Sequence, residues 1–154
     1  MWHHIFSPGV LLFFHQYFQI QNFPYSGLQW INNYNPNLCL FSLIQKQPFI
    51  SLLRSTSYVL FLIGTNSVRN FHATEIIKQI DQIFTFLYSQ YSHLKDQKII
   101  VPTCIPCFKV SKRFPTVVSL LNNIDHYNHL LFQLSFKHTF LYFDLQIPTN
   151  WLGN

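Results

Sequence analysis

Six consecutive apolar residues at positions 58–63, Tyr-Val-Leu-Phe-Leu-Ile, end directly at Gly64. A short, uninterrupted apolar run bounded by a glycine is typical of a β-strand buried on both faces, as in a parallel sheet. A strand with one face in water would alternate apolar and polar residues, and this segment does not alternate. The segment therefore predicts an α/β protein in which helices cover a central sheet.

Two amphipathic segments after this strand predict two long helices. One spans residues 74–92, with Thr74 as the expected N-cap, and the other spans residues 116–136. Short apolar strands are predicted at residues 98–101 and 139–143. The β-α-β-α-β order predicts right-handed crossovers between parallel strands, with helices on both faces. The expected fold class is α/β, a three-layer α/β/α sandwich with a mostly parallel sheet that is incomplete at its ends.

Three loops are expected at the carboxyl ends of these strands, where α/β proteins place their functional groups. They comprise residues 64–69, residues 102–115, and the segment that begins at Asp144. In the second long helix, Tyr127 interrupts the apolar stripe. The sequence therefore predicts that a functional site, if present, lies at the carboxyl ends of the parallel strands.

The N-terminal part of the chain gives weaker signals. Residues 1–23 form a segment of uncertain structure, in which residues 10–20 fit either a strand or a helix. Residues 24–27 are expected to be a strand exit, and short helices are predicted at residues 28–34 and 48–53. The main domain is therefore assigned to residues 24–154.

The composition supports a single domain with a packed core, since 49% of the 154 residues are apolar and only 10% are charged. Disorder is excluded because it requires low hydrophobicity and high charge. Collagen, coiled coils and small disulfide scaffolds are excluded by the 4 Gly, the lack of heptads and the 3 Cys. The abundance of Phe beside a single Ala is unusual for a soluble domain and is compatible with the remnant of a formerly functional gene.

The net charge of +5 permits contact with nucleic acid or anionic lipid without requiring it. The only basic cluster is Lys109, Lys112 and Arg113, which we expect to be a solvated loop. No run approaches the ~18 apolar residues of a membrane span, and the features of a signal peptide are missing. The expected location is therefore intracellular and cytoplasmic.

Cys104-Ile-Pro-Cys107 forms a CxxC, a spacing that suits either a shared metal or disulfide exchange. Two flanking prolines oppose the helix start that a redox pair needs, and no second ligand pair follows at zinc-finger spacing. We expect structural cysteines at a strand exit, one of them buried, and a thiol or zinc site is the alternative. His126 and His129 are expected to be helix-surface residues, so no metal ligand is assigned.

Gly64-Thr-Asn66 after a buried strand, with Ser26-Gly27 upstream, resembles the SGNH/GDSL hydrolase superfamily. The resemblance covers residues 24–154 and is closest to divergent SGNH-like domains in some animal genomes and mobile elements. It implies a flavodoxin-like fold and a serine hydrolase of small esters without metal or organic cofactor. It also implies an oxyanion hole made by the backbone N–H of Gly27 and the side-chain amide of Asn66. The neighbouring loop residues would be Gly64, Thr65 and Ser67.

The family's nucleophile and base motifs are not found in this sequence. The family opens with Gly-Asp-Ser after its first strand and closes with Asp-x-x-His after its last, and neither motif occurs. Ser7 is the nearest nucleophile candidate in order, but its neighbours do not match, and Ser67 stands where the family usually has Asp. Ser26 and Asp144 complete no other triad with His126 or His129 that spacing can identify.

We therefore expect an ester-hydrolase-like domain that is truncated and catalytically incomplete, with no catalytic residue assigned. A small ester would be the substrate of the complete enzyme. The alternative is a non-enzymatic remnant or an interaction module derived from a mobile element. In that case residues 109–113 would contact nucleic acid weakly through phosphate charge. The oligomeric state stays open.

Overall fold

A five-stranded mixed sheet forms the centre of the described structure, a computed structural model that describes residues 8–14 and 19–145. The strands are β1 (Pro8–Phe14), β2 (Ile20–Ser26), β3 (Tyr58–Leu62), β4 (Ile99–Pro102) and β5 (Leu141–Phe143). The helices are α1 (Leu40–Leu43), α2 (Phe49–Ser55), α3 (Thr65–Asn70), α4 (Ala73–Gln90) and α5 (Val117–His138). Short 3-10 turns lie at Pro36–Leu38 and Ser92–Leu94.

The strands lie in the order β2-β1-β3-β4-β5. β3, β4 and β5 are parallel, whereas β1 is antiparallel to both of its neighbours. The α/β class and the parallel β-α-β-α-β half are therefore confirmed, but the sheet as a whole is mixed rather than mostly parallel. Only five residues separate the end of β1 at Phe14 from the start of β2 at Ile20, and a connection of that length can join neighbouring strands only when they are antiparallel.

The described helices pack on one face of the sheet. The register places Phe13 and Val59 side by side, and Val101 beside Tyr142, on that face. In α2, Phe49 packs 6.0 Å from the ring of Phe13, and in α5 the ring of Phe132 lies 5.2 Å from that of Tyr142. α4 packs against α5. α1 contacts α4 through Phe41 and Phe86, whose ring centroids lie 5.5 Å apart.

This single layer differs from the expected helices on both faces. The two β-α-β crossovers step in the same direction, from β3 to β4 and then to β5. Successive right-handed steps in one direction put both helices on the same side of the sheet. A second helical layer is not found within residues 8–14 and 19–145.

The long helices confirm the apolar periodicity read from the sequence. In α4 the buried positions include Ile76, Ile80, Ile83, Phe84 and Leu87. The N-cap of this helix is His72 rather than the expected Thr74, and the His72 backbone N–H donates to Glu75 Oε2 at 3.0 Å.

The N-cap of α5 is Thr116, the residue at which the sequence predicts the start of the second long helix. The Thr116 hydroxyl oxygen accepts from the backbone N–H of Ser119 at 3.1 Å and satisfies one of the first-turn donors. Residues 103–115, between β4 and this cap, contain no helix or strand, in agreement with the predicted loop. Within the described ranges, no helix has both the length and the apolar character needed to cross a membrane.

Other local expectations are wrong. Residues 64–69 were expected to be a loop, but α3 begins directly after Gly64. Residues 28–34 form no helix, because Gln29 instead pairs with Cys39 in an isolated parallel bridge. Tyr127 does not interrupt the core stripe of α5 but is fully buried within it. Residues 10–20, which fit either element, contain the end of β1 and the start of β2.

Candidate functional site

The carboxyl ends of β2 and β3 meet at the same edge of the sheet. Because β1 is antiparallel to both, β2 and β3 run in the same direction. On one side, Pro8 of β1 pairs with Ser26 of β2. On the other side, Val10 pairs with Leu62 of β3, and the same register continued by two residues places Gly64 opposite Pro8. Gly27 and Gly64 therefore flank one strand, at a separation of roughly two strand spacings, or ~10 Å.

Gly27 has φ +89°, in the left-handed region that favours glycine, and turns the chain away from β2. Three residues later, the backbone N–H of Trp30 donates to the hydroxyl oxygen of Ser67 at 3.2 Å. This hydrogen bond ties the turn after β2 to α3. The structure thus brings the two loops that carry the predicted oxyanion residues into contact.

Asn66 lies in the first turn of α3 and is half-buried. Its main-chain oxygen accepts from Asn70 Nδ2 at 2.6 Å. In the described part of the chain, no hydrogen bond engages its own side-chain amide. That amide is therefore available to a ligand.

The two neighbours of Asn66 have structural contacts. Ser67 is fully buried and its hydroxyl accepts from Trp30, as described above. The hydroxyl of Thr65 lies 3.9 Å from the sulfur of Cys104, which joins the ends of β3 and β4. Gly64 packs closely there, since a Cβ at this position would lie 3.4 Å from the Cβ of Cys104.

Tyr127 lies directly beneath this edge. Its hydroxyl oxygen accepts from the indole N–H of Trp30 at 3.3 Å, and both side chains are fully buried. Burial raises the pKa of the Tyr127 hydroxyl well above its usual range, so the group stays neutral. The pair therefore supports the site from below and supplies no charge to it.

The CxxC lies at the exit of β4, as predicted. Cys104 is buried and Cys107 is half-buried, and both are thiols. Asn128 holds the loop: its Oδ1 accepts from the backbone N–H of Cys104 at 2.8 Å, and its Nδ2 donates to the carbonyl of Cys104 at 3.0 Å. Burial raises the pKa of the Cys104 thiol to about 12, which opposes the thiolate that metal binding or disulfide exchange requires.

Other sequence candidates are placed apart from one another. Asp144 follows β5 at the same edge and accepts from the Thr103 hydroxyl at 3.4 Å. His126 and His129 lie on the exposed side of α5, on either side of the inward-facing Tyr127 and half-buried Asn128. Ser7 lies outside the described residues. At this edge, within the described ranges, no serine hydroxyl is hydrogen-bonded to a histidine ring.

Metal chemistry gains no support from the side-chain arrangement. Among residues 8–14 and 19–145, no three His, Cys, Asp or Glu side chains come close enough to hold one ion. Three polar side chains of α5 that the sequence did not assign to this edge lie close to it: Asn123, Tyr127 and Asn128. Asn123 and Tyr127 are buried four residues apart on the inward-facing stripe of α5, and a polar group on a buried stripe is the signal that could have identified them.

No family model, curated protein or solved structure matches the chain. The candidate site is therefore defined by its own geometry: a glycine turn, a half-buried amide, and a buried polar support beneath them. The Gly27 backbone N–H and the Asn66 side-chain amide are donor types that suit an oxygen with negative charge. The described groups of the site include no nucleophile paired with a proton acceptor.

Proposed function

We propose that the chain is a divergent ester-hydrolase-like domain that keeps an oxyanion-binding edge and does not turn over esters. One observation carries the proposal: Gly27 and Asn66 follow strands that end at one edge, and the Trp30–Ser67 hydrogen bond ties their loops together. A backbone N–H and a neutral side-chain amide are the donor types that stabilise a developing oxyanion.

The direction of β1 supports the absence of turnover. In the family that the sequence resembles, the nucleophile follows the first strand. Here the last residue of β1, Phe14, lies at the opposite edge from Gly27 and Asn66, because β1 is antiparallel to β2 and β3. A serine placed after β1 would therefore be separated from the oxyanion donors by the length of the strand. Among the described residues at this edge, no hydroxyl is hydrogen-bonded to a histidine that could act as its base in acyl transfer.

We also propose that the complete domain has the three-layer sandwich of the family that the sequence resembles. The strand order β2-β1-β3-β4-β5 is the doubly wound order 2-1-3-4-5, although β1 is reversed in direction. In that arrangement the face opposite α4 and α5 is covered. A complete sandwich would therefore need a further layer on the second face of this sheet.

An ester assay tests the lack of turnover. The purified chain should hydrolyse p-nitrophenyl acetate and butyrate no faster than buffer, and the Asn66→Ala variant should behave identically. Asn122→Ala is the matched control, because Asn122 is an exposed amide on α5. Turnover above buffer that disappears in Asn66→Ala and persists in Asn122→Ala would contradict the proposal.

The oxyanion edge itself is tested with a tetrahedral anion. Ethyl methylphosphonate carries one negative charge on tetrahedral phosphorus and resembles the intermediate of ester hydrolysis. In ¹⁵N-labelled protein, saturable shifts should occur at the Gly27 backbone N–H and the Asn66 side-chain NH₂ but not at the Asn122 side chain. If neither signal moves at millimolar phosphonate, the oxyanion role of these residues is wrong.

A second candidate is an interaction module that contacts nucleic acid through residues 109–113. Arg69 favours it, because its Nε donates to the Lys109 carbonyl at 2.7 Å and so adds a cation to the loop. Arg113 weakens it, because its guanidinium lies 3.6 Å from Glu75. Salt-dependent retention on a DNA column, lost when Lys109 and Lys112 are changed to Gln, would support it. Lack of retention at low salt would exclude it.

A further inference from the structure

A small open cavity lies between α2 and the carboxyl end of α4. Arg54, which lines it, stands in the last turn of α2, four residues before β3 begins, and Gln90, which also lines it, ends α4. Gly27 and Asn66 follow the carboxyl ends of β2 and β3, so they lie at the other end of these strands. The cavity has a volume of about 260 Å³ and is separate from the candidate site.

Three of the residues that line the cavity are apolar. Ile44 is fully buried, whereas Ile50 and Phe86 are half-buried. The ring of Phe41 packs edge-on against that of Phe86, with centroids 5.5 Å apart, and so supports it from one side. An apolar lining of this kind binds the hydrocarbon part of a ligand, because the contact removes apolar surface of both from water.

Arg54 gives the cavity a cation that is not paired within the described protein. Among residues 8–14 and 19–145, no carboxylate lies within ion-pair distance of its guanidinium, and no hydrogen bond engages it. The other two arginines are both engaged, since Arg69 donates to the Lys109 carbonyl and Arg113 lies beside Glu75. A guanidinium presents its donors in a planar fork that matches the two oxygens of a carboxylate.

Tyr91 adds a neutral donor close to this cation. Its side chain is buried, and within the described ranges no hydrogen bond engages its hydroxyl. Burial raises the pKa of the Tyr91 hydroxyl, and the nearby positive charge of Arg54 opposes this with a smaller effect. The hydroxyl is therefore protonated at neutral pH and can donate to an anion held by Arg54.

We propose that this cavity binds a small monocarboxylate with an apolar body. The carboxylate accepts from the Arg54 guanidinium and the Tyr91 hydroxyl, and the apolar body contacts Ile44, Ile50 and Phe86. Arg54 is the one charged residue of the described lining, which suits a single negative charge. At ~30 Å³ for each water molecule of the liquid, 260 Å³ corresponds to about nine waters, so a ligand of about nine non-hydrogen atoms, such as benzoate, has the right size.

Titration of the ¹⁵N-labelled full chain with sodium benzoate at constant ionic strength tests the proposal. Saturable shifts should occur at the Arg54 Nε–H and at the backbone N–H groups of Phe86 and Tyr91, with a dissociation constant of ~1 mM or below. Benzamide has the same shape without the charge and should bind about tenfold more weakly. Equal affinity for benzamide, no saturation up to ~20 mM benzoate, or shifts at Gly27 and Asn66 in place of these would overturn the proposal.

Two charge-removing variants locate the site. Arg54→Gln should weaken benzoate binding about tenfold, and Arg54 is exposed enough for the variant to stay folded. Lys46→Gln is the matched control, because it removes the same charge from an exposed residue that does not line the cavity, and its affinity should stay within about twofold of the parent chain. Equal weakening in both variants would reveal unspecific charge attraction and overturn the proposal, as would unchanged affinity in a folded Arg54→Gln chain.

Discussion

The ring N–H of His138, the last residue of α5, donates to Asp81 Oδ1 in the middle of α4 at 2.6 Å. The same carboxylate oxygen accepts from the Lys137 ammonium at 2.8 Å. The His138 side chain is only 10% exposed and lies against the ring of Phe84, 5.5 Å away. One carboxylate thus connects the carboxyl end of α5 to α4. Because both helices lie on the same face of the sheet, this connection fixes their relative position.

The Asp81 connection predicts an acid-dependent loss of stability. Hydrogen bonds from Lys137 and His138 hold the pKa of Asp81 below its ordinary value of 3.8. A carboxylate with a depressed pKa stabilises the folded chain above the unfolded pKa of ~4 and loses this effect as the pH falls through the folded pKa. Asp81→Asn should therefore lower the free energy of unfolding at pH 7 by about 1 kcal/mol, since the site is partly screened by solvent.

Urea unfolding of Asp81→Asn at pH 7, 5 and 3 measures this effect. The difference from the parent chain should be constant between pH 7 and 5 and should shrink near pH 3. Asp125→Asn removes a carboxylate from the exposed side of α5 and should change little at any of these pH values. A difference between Asp81→Asn and the parent that persisted undiminished at pH 2 would show that the carboxylate charge is not its source.

Asn123 predicts a larger effect at neutral pH. Its Oδ1 accepts from the backbone N–H of Ala73, and its Nδ2 donates to the carbonyls of Val68 and Phe71, each at 2.9 Å. The side chain is 7% exposed. Asn123→Leu leaves one N–H and two carbonyls buried without partners, at ~1–3 kcal/mol each if none is rehydrated. We expect a loss of about 3 kcal/mol in urea unfolding.

Asn122→Leu is the control for Asn123→Leu, because it makes the same chemical change one residue away at an exposed position. Its free energy of unfolding should stay within ~0.5 kcal/mol of the parent chain. Equal losses in both variants would mean that helix propensity, rather than the buried hydrogen bonds, determines the outcome.

The helices and parallel strands were accessible to sequence reasoning because their signals are local. The apolar run of β3 and the 3- and 4-residue spacing in α4 each depend on neighbouring residues. The direction of β1 could not be predicted, because the sequence between Phe14 and Ile20 contains no Asn-Gly or Asp-Gly pair that would indicate a hairpin. The single helical layer follows from the order of the strands in the sheet. The spacing of apolar residues along the chain does not predict that order.

The candidate site is harder to predict from the sequence than the fold. Gly27 and Asn66 were chosen from a resemblance, and their shared edge depends on pairing that joins residues far apart in the chain. The Trp30–Tyr127 hydrogen bond spans 97 residues, and no local pattern predicts such a partner. The sequence marks Tyr127 as a polar residue on the apolar stripe of α5, but it does not show that the hydroxyl accepts from Trp30.

The cysteines predict a selective alkylation pattern. Cys104 is buried, and its pKa is raised to about 12, so little thiolate forms near neutral pH. Cys39 is buried as well, whereas Cys107 is half-buried. Iodoacetamide at pH 8 should therefore modify Cys107 well before Cys104 or Cys39, as read by peptide mass spectrometry. The same reaction in 6 M guanidinium should modify all three at similar rates, and preferential native labelling of Cys104 would contradict the buried environment.

The Trp30–Tyr127 pair predicts the cost of removing one hydroxyl beneath the site. Tyr127→Phe keeps the ring and removes the acceptor of the Trp30 indole N–H, which is then buried without a partner. An unsatisfied buried donor costs ~1–3 kcal/mol, so urea unfolding should show a loss of about 1–2 kcal/mol. Tyr34→Phe is the matched control, because Tyr34 is 97% exposed and its hydroxyl is accessible to water. In a Trp30→Phe background, which has no indole donor, the Tyr127→Phe change should cost much less than in the parent chain, and this coupling would assign the loss to the orphaned indole. A Tyr127→Phe chain as stable as the parent would show instead that water replaces the hydroxyl at this position.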